Sequence, residues 1–382
     1  MAVTWRTDTS VSVTRAQILP DNPSTFLADS AETFSGEYTD VHGDGIVSRY
    51  HSVNFTGLRP ESTYLYRVGS DLSWSEWFEF KTASKTNKQF SFIYFGDSQV
   101  RDKSLWTRVI RSAFTNNSKA AFTLFAGDLV DGGDGNTLQD EEWGEWHEGG
   151  SFINSMIPVI ATPGNHEYLY PGDRTRRELN RYWIPQFTFP ENGPKGLEET
   201  VYYIDYQNLR VISLNTSALG RSEEAAAIQT SWLENLLKNN PCQWTIITFH
   251  HPLYSTSKTR DNKRVRDNLL PLFQKYHVDL VLTGHDHTYA RGFSPADPEP
   301  QRQSDARTVY IVSVSGAKQY LQDAERWWDI GATNTQFYQI ITVDDKTMSY
   351  KAFNSSDELF DQFYIKRNSR GKKRIVMPDT NK

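Results

Sequence analysis

The chain has 382 residues, of which 37% are hydrophobic and 23% charged, and its formal net charge is −6. This composition is typical of a globular protein of two or three domains, and its acidic balance argues against a nucleic acid as a structural partner. The single cysteine, Cys242, excludes an internal disulfide and a Cys-rich zinc motif, and no apolar run reaches the about 18 residues of a membrane span.

Residues 1–84 predict an all-β domain. Short alternating runs such as 49–55, separated by turn signals, are typical of the strands of a sandwich. Tyr64 stands at the start of one such run, like the corner tyrosine of a fibronectin type III sandwich that bonds to upstream backbone. The alternating run 74–80 predicts a closing strand, and the polar stretch 82–88 predicts a linker.

From residue 89 the pattern changes to apolar runs that alternate with helical stretches, which is typical of an α/β domain. The helical stretches lie at 104–114, 223–238 and 266–276, and strand-like runs follow at 337–343 and 348–353. We therefore predict an α/β domain over residues 89–365. Residues 366–382 are polar and basic, and predict a flexible tail.

Five apolar, strand-like runs of this second domain each end in residue types that bind metal ions. The residues that follow these runs are Asp97, Asp128, Asn165 with His166, His250, and His285 with His287. In an open α/β sheet, binding sites form just beyond the carboxyl ends of the strands, so we expect these side chains to share one crevice. Taken singly, each motif has a plainer explanation, such as an aspartate that caps a turn. Five of them in order favour a metal site.

The set of candidate ligands indicates two ions rather than one. Oxygen and imidazole ligands without thiolate suit zinc, manganese or iron. Two aspartates, one asparagine and three histidines are more than one ion needs. Two ions about 3.5–4 Å apart, bridged by a carboxylate, would use all of them.

In order, the motifs Gly-Asp, Gly-Asp, Gly-Asn-His-Glu, His-His-Pro and Gly-His-x-His resemble those of the calcineurin-like metallophosphoesterases, and most closely the purple acid phosphatases. The likeness is carried by residues 143–146, 164–167, 229–233, 250–254 and 284–291. It covers roughly residues 3–365. The resemblance implies a catalytic domain built as a four-layer αββα sandwich, in which helices flank two mixed sheets. It also implies a fibronectin type III-like sandwich before that domain.

The same resemblance implies a role for each candidate residue. The first ion would be held by Asp97, Asp128 and His287, and the second by Asp128, Asn165, His250 and His285. His166 would contact the phosphate and protonate the leaving oxygen, so His166 and the shared Asp128 are the expected catalytic residues. Two ions of Fe, Zn or Mn would generate the hydroxide that attacks a small phosphorylated substrate, a phosphomonoester first of all.

Two positions depart from the family pattern at the first ion. Purple acid phosphatases place a ligating tyrosine three positions after the second aspartate, where this chain has Asp131. Other members place a histidine two positions after the first aspartate, where this chain has Gln99. We expect Gln99, through its amide oxygen, to take the vacant ligand position, with Asp131 as the alternative. A second reading makes both residues hydrogen-bond partners of the ligands. Without the tyrosinate, the protein should not be purple.

The residues expected to contact the substrate, besides His166, are His251 and Arg260. His251 follows a ligand and would touch the substrate or only support its neighbour. Arg260 or Lys258 would pair with a phosphate, or would belong to a solvated loop.

Two other functions stay open from the sequence. One is a phosphodiesterase or nucleotidase that uses the same centre. The other, from a different class, is a non-catalytic adhesion or interaction protein that keeps the site without using it. The first residues lack the basic and apolar regions of a signal peptide. By family resemblance we expect a secreted or periplasmic protein whose signal peptide is absent from this chain.

Overall fold

The computed structural model describes residues 1–43, 45–71, 73–100, 102–132, 139–169, 177–257, 259–297, 307–323 and 327–378. The N-terminal part contains β1 (Ala2–Thr7), β2 (Arg15–Pro20), α1 (Leu27–Ser30), β3 (Glu32–Ser35), β4 (Glu37–Gly43), β5 (Ile46–Asn54), β6 (Thr63–Ser70), β7 (Ser73–Trp74) and β8 (Phe78–Lys81).

These strands form a sandwich of two antiparallel sheets. One sheet has the order β1-β5-β4, and the other has the order β3-β2-β6-β7, with β8 also paired to β6. Inward-facing side chains form its core: Ala16, Ile18, Val53, Phe55, Tyr64, Tyr66 and Phe80. The hydroxyl of Tyr64 accepts a hydrogen bond from the backbone N–H of Arg59 at 2.8 Å, which confirms the tyrosine corner. The single closing strand predicted at 74–80 is instead split between β7 and β8.

The second part of the chain contains both helices and strands. They are β9 (Phe90–Phe95), α2 (Lys103–Asn116), β10 (Thr123–Phe125), α3 (Gln139–Met156), β11 (Val159–Ala161), β12 (Tyr168–Leu169), β13 (Glu178–Leu179), α4 (Trp183–Gln186), β14 (Tyr202–Tyr206), β15 (Leu209–Ser213), α5 (Thr216–Leu219), α6 (Glu223–Lys238), β16 (Trp244–Thr248), α7 (Lys263–Tyr276), β17 (Leu280–Thr283), β18 (Tyr289–Gly292), β19 (Val309–Val312), β20 (Trp328–Ala332), β21 (Phe337–Val343), β22 (Thr347–Asn354), β23 (Leu359–Arg367) and β24 (Lys373–Val376).

Two mixed seven-stranded sheets dominate this part. The first has the order β11-β10-β9-β21-β22-β23-β24, and the second has the order β14-β15-β16-β17-β19-β18-β20. In the first sheet β9, β10 and β11 are parallel. In the second, β15, β16, β17 and β19 are parallel. Parallel strands place their carboxyl ends at one edge, so each sheet presents a row of strand ends where a site can form.

The two sheets pack face to face. Alternate residues of the second sheet, such as Ile246 and Leu280, share one apolar cluster with Phe92 and Tyr94 of the first sheet. The hydroxyl of Tyr94 also donates to the carbonyl oxygen of Thr283 at 2.7 Å, which links the two sheets directly. The facing sides of both sheets are therefore buried, as is usual for sheets that contain parallel strands.

Helices cover the outer faces of both sheets. On the first sheet, α2 buries Trp106, Val109, Ile110 and Ala113 in the same apolar cluster. On the second sheet, α6 and α7 pack on the opposite face through Leu233, Leu269 and Phe273. The second domain is therefore a mixed-sheet α/β sandwich with helical outer layers, as predicted. Among the helices that the structure describes, none combines the length and the apolar character needed to cross a membrane.

The C-terminal segment differs from the flexible tail expected from the sequence. β23 continues to Arg367, and β24 pairs with it in antiparallel register. Ile375 is buried, and Lys373 Nζ lies 2.7 Å from Asp279 Oδ1. The prediction is wrong for this segment because Ile375 and the buried partner of Lys373 anchor a strand that its polar composition concealed.

The sandwich and the α/β part are joined by polar contacts. Asp140, at the start of α3, accepts hydrogen bonds from Arg6 at 2.5 Å and from Ser48 at 2.9 Å. The hydroxyl of Tyr66 donates to the carbonyl oxygen of Ser155 at 2.6 Å, near the other end of the same helix. The N-terminal strands are thereby fixed along α3.

Candidate metal centre

The structure brings the predicted ligand residues together at one edge of the two sheets. Asp97, Asp128 and Asn165 follow β9, β10 and β11 of the first sheet, and His250, His285 and His287 follow β16 and β17 of the second. Their ligand atoms form two compact groups, one of Asp128, His250 and His285 and one of Asp97, Asp128 and His287. Within each group all ligand atoms lie within 4.8 Å of one another. Asp128 belongs to both groups, as a bridging carboxylate would.

In the first group, hydrogen-bond acceptors converge on Nε2 of His250. His250 donates from Nδ1 to the carbonyl oxygen of Ala126 at 3.0 Å, so its Nε2 carries a lone pair when the ring is neutral. This Nε2 lies 3.0 Å from Asp128 Oδ2 and 3.1 Å from Asn165 Oδ1 and from His285 Nδ1. Asp128 Oδ2 is buried and receives no hydrogen bond in the described part of the chain. A cation is the partner that such a group of acceptors lacks.

The second group has the same character. His287 donates from Nδ1 to the carbonyl oxygen of Lys318 at 2.9 Å, and its Nε2 lies 3.2 Å from Asp97 Oδ2. Both carboxylate oxygens of Asp97 accept from the backbone N–H of His285, at 2.8 and 2.9 Å. These hydrogen bonds with the backbone therefore fix the orientation of His287 and Asp97, as the outer partners of metal ligands do.

The electrostatics of the centre favour a positive charge at its middle. Burial raises the pKa of Asp97 to about 7. Burial acts in the same direction on Asp128, but the charges of His250 and His166 and the hydrogen bonds from these residues together outweigh it and hold the pKa of Asp128 well below its usual range. Burial opposes protonation of His250, yet the two carboxylates raise its pKa to about 9. Burial lowers the pKa of His287 to about 3 and that of His285 well below its ordinary value. These two rings are thus neutral, the state in which imidazole binds a metal.

The backbone around the ligands is shaped for close approach. A Cβ atom on Gly164 would lie 2.1 Å from Asp128 Oδ1, and one on Gly284 would lie 1.9 Å from Asp97 Oδ1. These two glycines are needed for space, whereas Gly127 has a φ of +87° and is needed for its conformation. Asp128 and His285 themselves adopt positive φ values of 50° and 75°, a strain that clusters at functional sites.

Glu167 stabilises the loops that carry the ligands. The sequence alone did not predict this role. The buried carboxylate of Glu167 accepts from the backbone N–H groups of Asp128, Leu129 and Gly164 at 2.9, 2.7 and 2.6 Å. It thereby ties the loop after β10 to the loop after β11. The signal was present in the sequence as the acidic residue that ends the Gly-Asn-His-Glu motif.

His166 lies beside the two groups without belonging to either of them. Its Nδ1 donates to the carbonyl oxygens of Asp131, at 3.0 Å, and Gly132. Its Nε2 lies 3.8 Å from Asp128 Oδ2, and the side chain is 19% exposed. The ring is therefore anchored on one side and accessible on the other.

Gln99 and Asp131, the two departures from the family pattern, contact each other. Gln99 Nε2 donates to Asp131 Oδ1 at 2.7 Å and lies 3.1 Å from His166 Nε2. Because the amide nitrogen faces Asp131 and His166, Oε1 is left buried and without a donor in the described structure. The orientation of this amide leaves its oxygen available to a cation.

His251 and Arg260 both contact the ligand residue His285. His251 contacts Thr216 Oγ1 through Nδ1 at 3.0 Å, and its ring centre lies 4.4 Å from that of His285. Arg260 donates to the carbonyl oxygen of His285 at 2.6 Å and to Asp286 Oδ1 at 3.1 Å. Both therefore support His285 in this structure. Lys258 lies outside the described residues.

The sequence interpretation also missed Lys318 and Tyr320. The ring of Tyr320 lies 4.6 Å from that of His287, and Arg260 approaches the same tyrosine ring, 5.0 Å from its centre. The signal was weaker here, because β19 ends without an acidic residue or a histidine. Its only trace is Gly316, which follows a strand end as the glycines of the other motifs do.

The donor set fits a pair of metal ions. Buried carboxylates, imidazoles and amide oxygens converge, and Asp128 Oδ2 and Gln99 Oε1 are without donors among the described residues. Sulfur is absent from the two groups, so the ligands suit zinc, manganese or iron.

Comparisons with known protein families agree with this geometry. Residues 90–289 match the Calcineurin-like phosphoesterase family, and residues 1–82 match the Purple acid Phosphatase, N-terminal domain. The chain belongs to the calcineurin-like phosphoesterases. Purple acid phosphatases are among its relatives.

Three relatives illustrate the range of similarity. An uncharacterized protein of Mycobacterium tuberculosis is 24% identical over 83% of this chain and 65% of that protein. Acid phosphatase type 7 of Mus musculus is 29% identical over 63% of this chain and 56% of that protein. The Fe(3+)-Zn(2+) purple acid phosphatase 12 of Arabidopsis thaliana is 25% identical over 67% of this chain and 57% of that protein. The chain thus spans between about half and two thirds of the lengths of these relatives.

The solved structure of purple acid phosphatase PPD1 from yellow lupin has the same fold. It superposes with a TM-score of 0.76 at 18% identity, and the match covers 97% of this chain and 72% of that one. This includes the sandwich as well as the α/β domain.

Proposed function

We propose that this protein hydrolyses phosphoric esters, phosphomonoesters above all, at a dinuclear metal centre. The observation that supports this most is the pair of ligand groups that share Asp128, with His166 presented beside them. The ligands of the proposed centre are Asp97, Asp128, Asn165, His250, His285 and His287.

Each residue of this chain has a defined task in the proposed reaction. When bound, the two ions would lower the pKa of a water molecule and neutralise charge on the phosphoryl oxygens. His166 would hydrogen-bond a phosphoryl oxygen and pass a proton from Nε2 to the leaving oxygen. Burial opposes its protonation, but the charge of Asp128 raises the pKa of His166 above its ordinary value. The carbonyl groups of Asp131 and Gly132 would keep Nδ1 occupied, so that Nε2 faces the substrate.

We propose Fe, Zn or Mn as the metals, with a centre that differs from the iron–zinc centre named in the Arabidopsis relative. The tyrosine that would ligate iron is replaced by Asp131, whose carboxylate is engaged with Gln99. We propose that Gln99 Oε1 completes the ligands of the ion held by Asp97 and His287. The protein should then be colourless, since no tyrosinate at position 131 is present to absorb visible light.

The test is metal analysis of the purified protein, combined with turnover on phosphomonoesters and bis-esters after loading with Zn, Mn or Fe. We expect two ions per chain and faster turnover of monoesters. Asp128→Ala should lose both ions and the activity. Retention of two ions by this variant would contradict the shared ligand, and absence of turnover with all three metals would favour a binding protein instead.

We further propose that residues 1–84 and the α/β part from residue 89 to the end of β24 fold as separate domains, and that the protein acts outside the cytoplasm. The two matched family segments support the first statement. The second rests on family membership alone. Limited proteolysis at residues 82–88 and fractionation of the source cells would test them.

A further inference from the structure

The segment 314–320, which we name the Lys318 loop, is hydrogen-bonded to two ligands of the second group, Asp97 and His287. Val314 forms a parallel bridge with Asp97, and the N–H groups of Ser315 and Gly316 both donate to the carbonyl oxygen of Asp97, at 3.0 and 2.6 Å. At its other end, the N–H of Tyr320 donates to the carbonyl oxygen of His287 at 3.1 Å. The loop therefore cannot move independently of the proposed metal ligands.

A small residue is required where this loop passes the end of β9. A Cβ atom at Gly316 would lie 2.4 Å from the carbonyl oxygen of Ser98. The side chain of Gln319 donates to the carbonyl oxygen of Gly316 at 3.2 Å, which closes the loop on itself. The loop thus has a defined conformation, and Lys318 projects from it.

The ammonium group of Lys318 forms no ion pair within the described part of the chain, whereas Arg260, which approaches the same tyrosine ring, does. Lys318 Nζ lies 5.7 Å from the ring centre of Tyr320, and no carboxylate of the described residues pairs with it, whereas Arg260 is bound to Asp286. The backbone carbonyl oxygen of Lys318 accepts a hydrogen bond from Nδ1 of the ligand His287 at 2.9 Å, and the Tyr320 ring that the ammonium group approaches lies 4.6 Å from the His287 ring. The ammonium group therefore belongs to the segment that contacts the second ligand group.

We propose that Lys318 binds the transferred phosphoryl group and favours dianionic phosphomonoesters over monoanionic phosphodiesters. This inference rests on the proposed function and names the substrate class of the same site. A phosphomonoester carries about 1.5 to 2 negative charges at neutral pH, and a diester carries one. A half-buried ammonium group with no carboxylate partner among the described residues adds a positive charge that the dianion uses more fully.

The experiment compares Lys318→Met and Lys318→Arg with the wild type, all loaded with the same metal. A matched control is Lys346→Met, since Lys346 is exposed in the turn between β21 and β22. The measurements are metal content, equilibrium binding of inorganic phosphate by calorimetry, and kcat/KM for a monoester and a bis-ester. For Lys318→Met we expect roughly a 10- to 100-fold loss in phosphate affinity and in monoester kcat/KM, and at most about a threefold loss for the bis-ester. Metal content should stay the same, and Lys318→Arg should keep most of the activity.

The outcomes separate this inference from the proposed function. Unchanged phosphate affinity in Lys318→Met, or equal losses on both ester classes, would overturn the role of Lys318. Loss of metal in this variant would overturn it as well, because the loop would then act on the ligands and not on the substrate. If the wild type hydrolyses neither ester but binds phosphate through Lys318, the inference stands as a binding role and the proposed hydrolysis fails.

Discussion

At the scale of single residues, the centre separates groups that would hold metal from a group that would act on the substrate. His166 is bound through Nδ1 to backbone carbonyl groups and belongs to neither ligand group. Its neighbour Asn165 lies 3.1 Å from His250 and belongs with the ligands. The proposed tasks of these two adjacent positions of one motif therefore differ.

Replacing His166 should slow turnover without loss of the metal ions. We expect His166→Ala to lower kcat by roughly 10²- to 10⁴-fold, because a positioned proton donor is lost. Elemental analysis should find the metal content of the wild type. A loss of metal that parallels the loss of turnover would move His166 into the ligand set.

A second residue-scale prediction concerns pH and stability. Glu199 accepts from the backbone N–H of Phe189 at 3.0 Å, and burial, aided by the charge of Glu191, raises its pKa from 4.5 to about 7. The folded state therefore favours the protonated form, so the stabilising contribution is full below pH 4.5 and is lost as the pH rises to about 7.

Glu199→Gln keeps the acceptor oxygen and removes this titration. Thermal unfolding of both proteins should show that the wild type loses stability relative to the variant between pH 4.5 and 8. A constant difference over that range would show that Glu199 titrates normally.

At the scale of elements, β24 completes the first sheet and reaches the second one. Lys373 Nζ lies 2.7 Å from Asp279, which directly precedes β17, and 4.8 Å from the ring centre of Trp244 in β16. Burial raises the pKa of Asp279 even though Lys373 opposes this. Lys373 of β24 thus supplies a positive charge beside the buried carboxylate of Asp279, next to the other sheet.

Lys373→Met should destabilise the fold by about 2–4 kcal/mol, because it leaves the Asp279 carboxylate buried with only the N–H of Thr245 as a donor. Urea unfolding measures this. The double variant Asp279→Asn, Lys373→Met should recover part of the loss. If the double variant is no more stable than the single one, the destabilisation comes from β24 itself and not from the ion pair.

The elements also show what the sequence can predict here. Helix α6 matches the predicted bounds 223–238, and the ligand candidates lie at the strand ends as expected, because local periodicity and glycine positions are properties of short segments. Contacts with residues that are distant in the sequence determine where Arg260, Lys318 and β24 lie. Arg260 was predicted to bind phosphate, and this remains a prediction, but its contacts with Asp286 and the backbone of His285 follow only from the packed structure.

At the scale of the whole molecule, the N-terminal sandwich is attached to the helix that covers the first sheet. Asp140 is almost fully buried and receives hydrogen bonds from Arg6 and Ser48. Since these partners belong to β1 and β5, one carboxylate connects two strands of the sandwich to α3.

Asp140→Ala should weaken this attachment more than it weakens either part. We expect a loss of about 1–3 kcal/mol, because Ser48 and Arg6 lose a charged acceptor. Calorimetry should show two unfolding transitions that move apart, with faster proteolysis at residues 82–88. A single transition at an unchanged temperature would mean that the apolar contacts alone hold the two parts together.

The division of the ligands between the two sheets has a consequence for how the protein is made. The ribosome releases the oxygen ligands Asp97, Asp128 and Asn165 before the imidazoles, and the centre can close only after His287 has emerged. Strand β21, which pairs with the inner edge of β9, is made later still. A nascent chain, which emerges N-terminus first, therefore carries an acidic half-pocket and an unpaired strand edge until β21 has been made. The full set of proposed ligands is available to metal ions only after the second sheet has formed.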